Sequence, residues 1–174
     1  NYRKKLWSQE EAGRVMETLM PYVDVCIANE EDAKDVFGIE ADNTDITGGK
    51  LNKDGYKSVA KKLADQFGFK KVAITLRTSI SASEKNWAGM LFDGENYCFS
   101  KEYNMKIVDR VGGGDSFGGG LIYACLNDYS TQAAVEFAVA ASCLKHSIEG
   151  DFNQVSVDEV TKLAGGDGSG RVQR

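Results

Sequence analysis

The chain has 174 residues, 42% apolar and 27% charged, with a formal net charge of −5. That size and balance fit one domain with a real core, and the acidity argues against a nucleic-acid binder, which needs a basic face. No apolar run approaches the roughly 18 residues of a membrane span, and "NYRKKLWSQE" carries no apolar signal stretch, so a soluble, cytoplasmic protein without membrane contact is expected. Cys26, Cys98, Cys125 and Cys143 are scattered with no CxxC pair, which predicts reduced thiols rather than a disulfide framework or a zinc site. The opening residues lack a methionine and a lead-in, and the chain is expected to be the C-terminal part of a larger protein.

In chain order, Ser8 with Glu11 three positions on reads as a capping box and predicts a helix to about Met20. Pro21 then precedes "YVDVCIA", a valine-rich run expected to be a buried strand. "NEEDAKDVFG" starts on a capping asparagine, carries acids in its first turn and stops at Gly38, a short helix. Residues 39–54 are polar and predict a loop. Tyr56, Val59, Ala60, Leu63 and Phe67 recur at helical spacing, with Gly68 as the stop. "KKVAITLR" reads as a second buried strand. "ASEKNWAGMLFDGENYCFS" alternates around Asp93 and Gly94, a hairpin signal. "KIVD" predicts another short strand, followed by helices at about 115–127, 131–147 and 157–164. Strand–helix alternation predicts an α/β fold with a mostly parallel sheet flanked by helices, in one domain over 1–174.

The stretch "VDRVGGGDSFGGG", residues 108–120, holds six glycines around Asp115. It lies on a strand-to-helix turn, at the carboxyl edge where open α/β sheets bind ligands. Gly112, Gly113 and Gly114 leave their N–H groups uncovered, and the helix start adds partial positive charge, which together suit an anion. The dinucleotide fingerprint GxGxxG fails at Phe117. The phosphate loop GxxxxGK[ST] fails because Gly120 and Leu121 stand where Lys and Ser or Thr belong. What remains is either an anion hole with Asp115 as a base for an attacking hydroxyl, or a tight turn with Asp115 as a helix cap.

Asp109, Gly112, Gly114 and Asp115 resemble the DxxGAGD signature of ribokinase-like, phosphofructokinase-B type carbohydrate kinases, with Gly113 in place of the usual alanine. The phrases "NYRKKLW", "ITLRTSISASEKNW", "AASCLKHSIEGDFN" and "GSGRVQR" are similar to those of its 2-keto-3-deoxygluconate kinase branch. The resemblance implies a ribokinase-like fold whose N-terminal part and β lid lie outside this chain. It implies ATP-dependent phosphorylation of 2-keto-3-deoxygluconate at the 6-hydroxyl, with Mg²⁺ and, in some relatives, K⁺. Asp115 would be the catalytic base beside the acceptor hydroxyl, and Gly112, Gly113 and Gly114 the anion hole. Asn29, Thr75, Arg77, Gly112, Gly114 and His146 would contact nucleotide. Asp32 would serve magnesium, standing for the glutamate of NxxE, and Asp109 a monovalent cation. Arg77 replaces a glycine of the family's TLG segment, and Arg3 would meet the substrate carboxylate. The partners implied are a sugar acid, ATP, the N-terminal portion and, as in relatives, a second copy.

By themselves several of these residues have plainer readings. "NEED" is also a favourable helix start. Arg77 is also a strand-end surface charge. His146, at the end of an apolar helix, suits the helix dipole. Trp7 and Trp87 read as packing residues. Besides a sugar-acid kinase, a same-fold kinase for another sugar or a nucleoside, or a non-catalytic nucleotide-binding module, stays open.

Overall fold

The structure, a computed structural model, describes residues 2–41 and 53–166. The expected loop over 39–54 therefore falls largely outside the described residues, as does the "GSGRVQR" tail. The chain divides into two compact units, Asn1–Leu76 with Met90–Cys98, and Arg77–Gly89 with Phe99–Arg174.

The first unit opens with helix α1, Gln9–Leu19, where Ser8 Oγ accepts from the Glu11 amide at 3.1 Å, the Ser8 half of the expected box. A short 3₁₀ turn at Met20–Tyr22 leads into strand β1, Val25–Ala28. Helix α2, Glu30–Phe37, is capped by Asn29 Oδ1, which accepts from the Asp32 amide at 2.8 Å, and ends on Gly38 at φ 65°. Helix α3, Lys53–Phe67, buries Val59, Ala60 and Leu63, the positions that its spacing predicts. Strand β2, Lys71–Ser79, runs parallel to β1 with Val25 opposite Lys71 and Ala28 opposite Ile74. Val72, Ala73 and Ile74 are fully buried, as a continuous apolar run requires of a covered strand.

Strands β3, Glu84–Phe92, β4, Tyr97–Phe99, and β5, Tyr103–Lys106, complete a five-stranded sheet in the order β1-β2-β3-β4, with β5 paired to β3. The α/β class holds, but the sheet is mixed rather than mostly parallel. Strand β5 is antiparallel to β3, and the four-residue connections 80–83 and 93–96 are too short for parallel crossovers. Alternation at Asp93 and Gly94 was a hairpin signal, and hairpins are antiparallel by construction. The short β1, at one end of the strand order, pairs only with β2 among the described residues.

The second unit is built on helices α4, Gly113–Leu126, α5, Thr131–Lys145, and α6, Val157–Ala164. Phe117, Leu121 and Ala124 of α4 and Ala134, Val135, Ala138 and Val139 of α5 are almost without exposure, so the two helices share one face. Gly120 permits this approach, since a Cβ there would stand 3.1 Å from the Ala138 Cα. Helix α6 carries a reciprocal capping box between Ser156 and Glu159. The expected strand "KIVD" is displaced: β5 ends at Lys106, because the Val108 amide leaves the sheet to donate to the His146 carbonyl at 2.8 Å.

Candidate active site

The glycine stretch leaves β5, turns, and opens α4 with Gly112 as the N-cap at φ 79°. A side chain is excluded there twice, by the left-handed backbone and by the Asp151 carbonyl lying where a Cβ would be. Gly113 is the first helical residue, and its Cα faces the His146 imidazole so closely that a Cβ would overlap Cε1. This gives the glycine in place of the family's alanine a steric reason. Gly114 differs from both, since nothing lies within 4 Å of a Cβ built on it.

Asp115 is the third residue of α4, not its cap, and is exposed. Its carboxylate has no hydrogen bond or ion pair among the described residues, and neither the Gly114 nor the Asp115 amide has an acceptor there. The Ser116 amide makes the first helical bond, to the Gly112 carbonyl at 2.9 Å. Two uncommitted donors at a helix start, with room at Gly114, fit an anion such as a phosphoryl group. An open cavity of about 380 Å³ adjoins Asp115, lined among others by Gly119, Tyr123, Phe137, Phe152 and Asn153.

Asp109 ties this turn together. Its Oδ1 accepts from the Val111 amide and its Oδ2 from the Gly150 amide, each at 3.0 Å. Those bonds hold its carboxyl below the usual carboxylate range. No group of three or more metal-ligating side chains occurs among the described residues.

His146, expected to contact nucleotide, lies in the second unit. The residue is 2% exposed and lies beneath the turn. Its Nδ1 stands 2.6 Å from the Ser142 carbonyl oxygen and its Nε2 2.8 Å from Lys85 Nζ. Burial, before any other cause, pushes its pKa below the ordinary histidine value. Lys85 is pulled down to about 8, chiefly by burial and then by Arg110 and Arg77. The sequence reading missed Lys85 and Ser142. Alternation in "SEKNW" did put Lys85 and Trp87 on one face of β3, which was the available signal.

These two groups set a pH dependence of stability. Between the lowered native pKa of His146 and about 6.5 the unfolded chain binds a proton that the native state refuses, so stability falls as pH drops through that window. Between about 8 and 10.5 the unfolded chain likewise holds the Lys85 proton longer, so stability rises with pH there. Urea unfolding at pH 5, 6 and 7 should show the acid loss, and His146→Asn should flatten it; an unchanged slope would refute the assignment.

In the first unit, Asn29 follows β1 directly and Thr75 follows Ile74 in β2. The register that pairs Ala28 with Ile74 sets the two side by side at the carboxyl end of the parallel pair. Asp32, the third residue of α2, lines an apolar cavity of about 200 Å³ with Tyr2, Trp7, Cys26 and Phe37. Arg3 is exposed ahead of α1, its carbonyl accepting from the Leu6 amide at 2.9 Å. Arg77 is exposed on β2, in the second unit. The four cysteines are free, and burial raises the Cys26 and Cys143 thiols to about 11, so both stay protonated at neutral pH.

A glycine-rich turn at a strand-to-helix junction leaves backbone amides uncovered at a helix start, where anions can be received. The chain belongs to the pfkB family of carbohydrate kinases, whose profile matches residues 1–158. A 2-dehydro-3-deoxygalactonokinase from Haloferax volcanii is 30% identical over 168 residues, covering 96% of this chain and 46% of that protein. The crystal structure of 2-dehydro-3-deoxygluconokinase from Thermotoga maritima superposes with a TM-score of 0.89 at 49% identity, covering 95% of this chain and 48% of the other. A PfkB family carbohydrate kinase from Listeria grayi gives 0.81 at 35% identity, again covering 95% and 48%. The chain thus spans about half the length of these relatives. Among the described residues no helix is long and apolar enough to cross a membrane.

Proposed function

We propose that the chain supplies the phosphoryl-holding turn and the general base of a kinase that phosphorylates 2-keto-3-deoxygluconate (2-dehydro-3-deoxygluconate) at its 6-hydroxyl from ATP. The observation that carries this reading is Asp115, an exposed carboxylate without a partner among the described residues, beside two amides without acceptors. Its oxygen takes the proton from the acceptor hydroxyl, while the Gly114 and Asp115 amides and the start of α4 face the charge on the transferred group. Phosphoryl transfer needs such positioning and neutralisation more than covalent chemistry. Mg²⁺, when bound, supplies further neutralisation, and Asp32 is the residue that would hold it through water. Arg3 would fork onto the sugar-acid carboxylate, and Asn29, Thr75 and Arg77 would serve the nucleotide. Asp109 would add a ligand for a monovalent cation such as K⁺.

The names of the relatives favour two substrates that are epimers of one another, with the galactonate form as the second reading. Substrate-dependent ADP release by the full-length protein separates them. Turnover of about 1–100 per second is expected with at least one epimer. Arg3→Ala should raise KM for the keto-acid much more than KM for ATP. No release with either acid, or equal effects on both KM values, would refute the reading.

A further inference from the structure

Beneath the turn, His146 touches it through its ring and its backbone carbonyl. Its ring lies against Gly113, where no Cβ fits. Its backbone carbonyl accepts from the Val108 amide at 2.8 Å and from the Asp109 amide at 3.3 Å, fixing the chain as it enters the turn. Ser142, one helical turn earlier, donates from Oγ to the Gly113 carbonyl at 2.8 Å. The imidazole itself is held at both nitrogens. The Ser142 carbonyl can only accept, so Nδ1 carries the hydrogen and Nε2 is left to accept from the Lys85 ammonium. Lys85 also lies 4.4 Å from the centre of the Trp87 ring, and Trp87 lies 5.5 Å from the imidazole, centre to centre. Trp87 is 6% exposed, whereas Lys85 is half-buried.

We infer that His146 is a positioning residue: its imidazole, locked between Lys85 and the Ser142 carbonyl, is the floor that sets the direction of the Gly114 and Asp115 amides and of the Asp115 carboxylate. The inference rests on the reading of this turn as a phosphoryl-transfer site. Its geometric core is a size complementarity. The ring occupies the volume that a methyl group at position 113 would need, so the two positions are coupled. Gly113→Ala alone pushes the ring or the turn aside. His146→Ala alone leaves the turn without its floor. With both changes the new methyl group enters the space that the ring has left.

The test is a double-mutant cycle in the full-length protein, with Gly113→Ala, His146→Ala, the pair together, and His146→Asn, whose amide can still donate to the Ser142 carbonyl. Each single alanine variant should lower kcat at least about tenfold with KM for the sugar acid little changed. The pair should be no worse than His146→Ala, a departure from additivity of at least about tenfold, or about 1.4 kcal/mol. His146→Asn should retain more kcat than His146→Ala, which a role in bulk packing alone would not require. Multiplicative losses in the pair overturn the inference. Melting temperatures report the coupling without turnover: the pair melting above Gly113→Ala supports it, and the pair melting below both singles overturns it. A wild-type protein without sugar-acid turnover would refute the functional reading instead, and the melting cycle would still decide the coupling.

Discussion

Asp115→Asn in the full-length protein is expected to lower kcat by at least about 10²-fold, the low end for a lost general base. The fold should hardly notice. The side chain is exposed and without a partner among the described residues, so the change removes only a favourable charge in the first turn of α4, worth roughly 0.3–1 kcal/mol. ATP affinity should change little, because the Gly114 and Asp115 amides do not depend on the carboxylate. The result separates the base from the anion hole, since losing donors would weaken binding and slow transfer together, whereas losing the base slows transfer alone. Steady-state kinetics with both substrates varied makes the check. Near-normal turnover would leave Asp115 as an ordinary helix-start acid.

Gly112→Ala should be the most damaging single methyl group in the second unit. At φ 79° an alanine is strained by roughly 1–2 kcal/mol, before any contact is counted. The obstacle in front of it is the Asp151 backbone carbonyl, which cannot rotate away as a side chain would. Relief requires the 150–152 segment or the start of α4 to move, and overpacking of this kind costs about 1–3 kcal/mol. A combined loss of about 2–5 kcal/mol is expected in denaturant unfolding, accompanied by loss of turnover. Gly114→Ala offers the comparison for stability, because its Cβ meets nothing within 4 Å and its backbone lies outside the left-handed region. Equal stabilities of the two variants would show that the turn is softer than its geometry implies.

Much of this architecture was legible because local rules and tertiary packing agree. The helix expected at 157–164 is α6, Val157–Ala164. Apolar spacing from Tyr56 to Phe67 gave α3, and the glycine run marked the turn before α4. The mixed sheet was less legible, because strand–helix alternation at both ends of the chain suggested parallel pairing for strands that a hairpin joins. The end of β5 was misplaced by a long-range bond from Val108 to His146, 38 positions away (146 − 108), for which nothing local gives a sign. The surroundings of His146 were illegible for a related reason. Sequence can put a histidine at a helix end, but its neighbours Lys85, Trp87 and Gly113 come from other elements. Asp115 stands out in the sequence because its surroundings are consecutive residues.

The terminal place of β1 in the strand order has a practical side. It is four residues long, and among the described residues one of its flanks has no ladder partner. Ile27 on that strand is 44% exposed and Tyr22 just ahead of it 86%. An unpaired strand flank with apolar side chains beside it is a template on which other chains can add as strands, although its shortness limits the ladder that can form. Preparations of residues 1–174 alone should therefore lose material to precipitation more readily as concentration and temperature rise, whatever the stability of each folded unit.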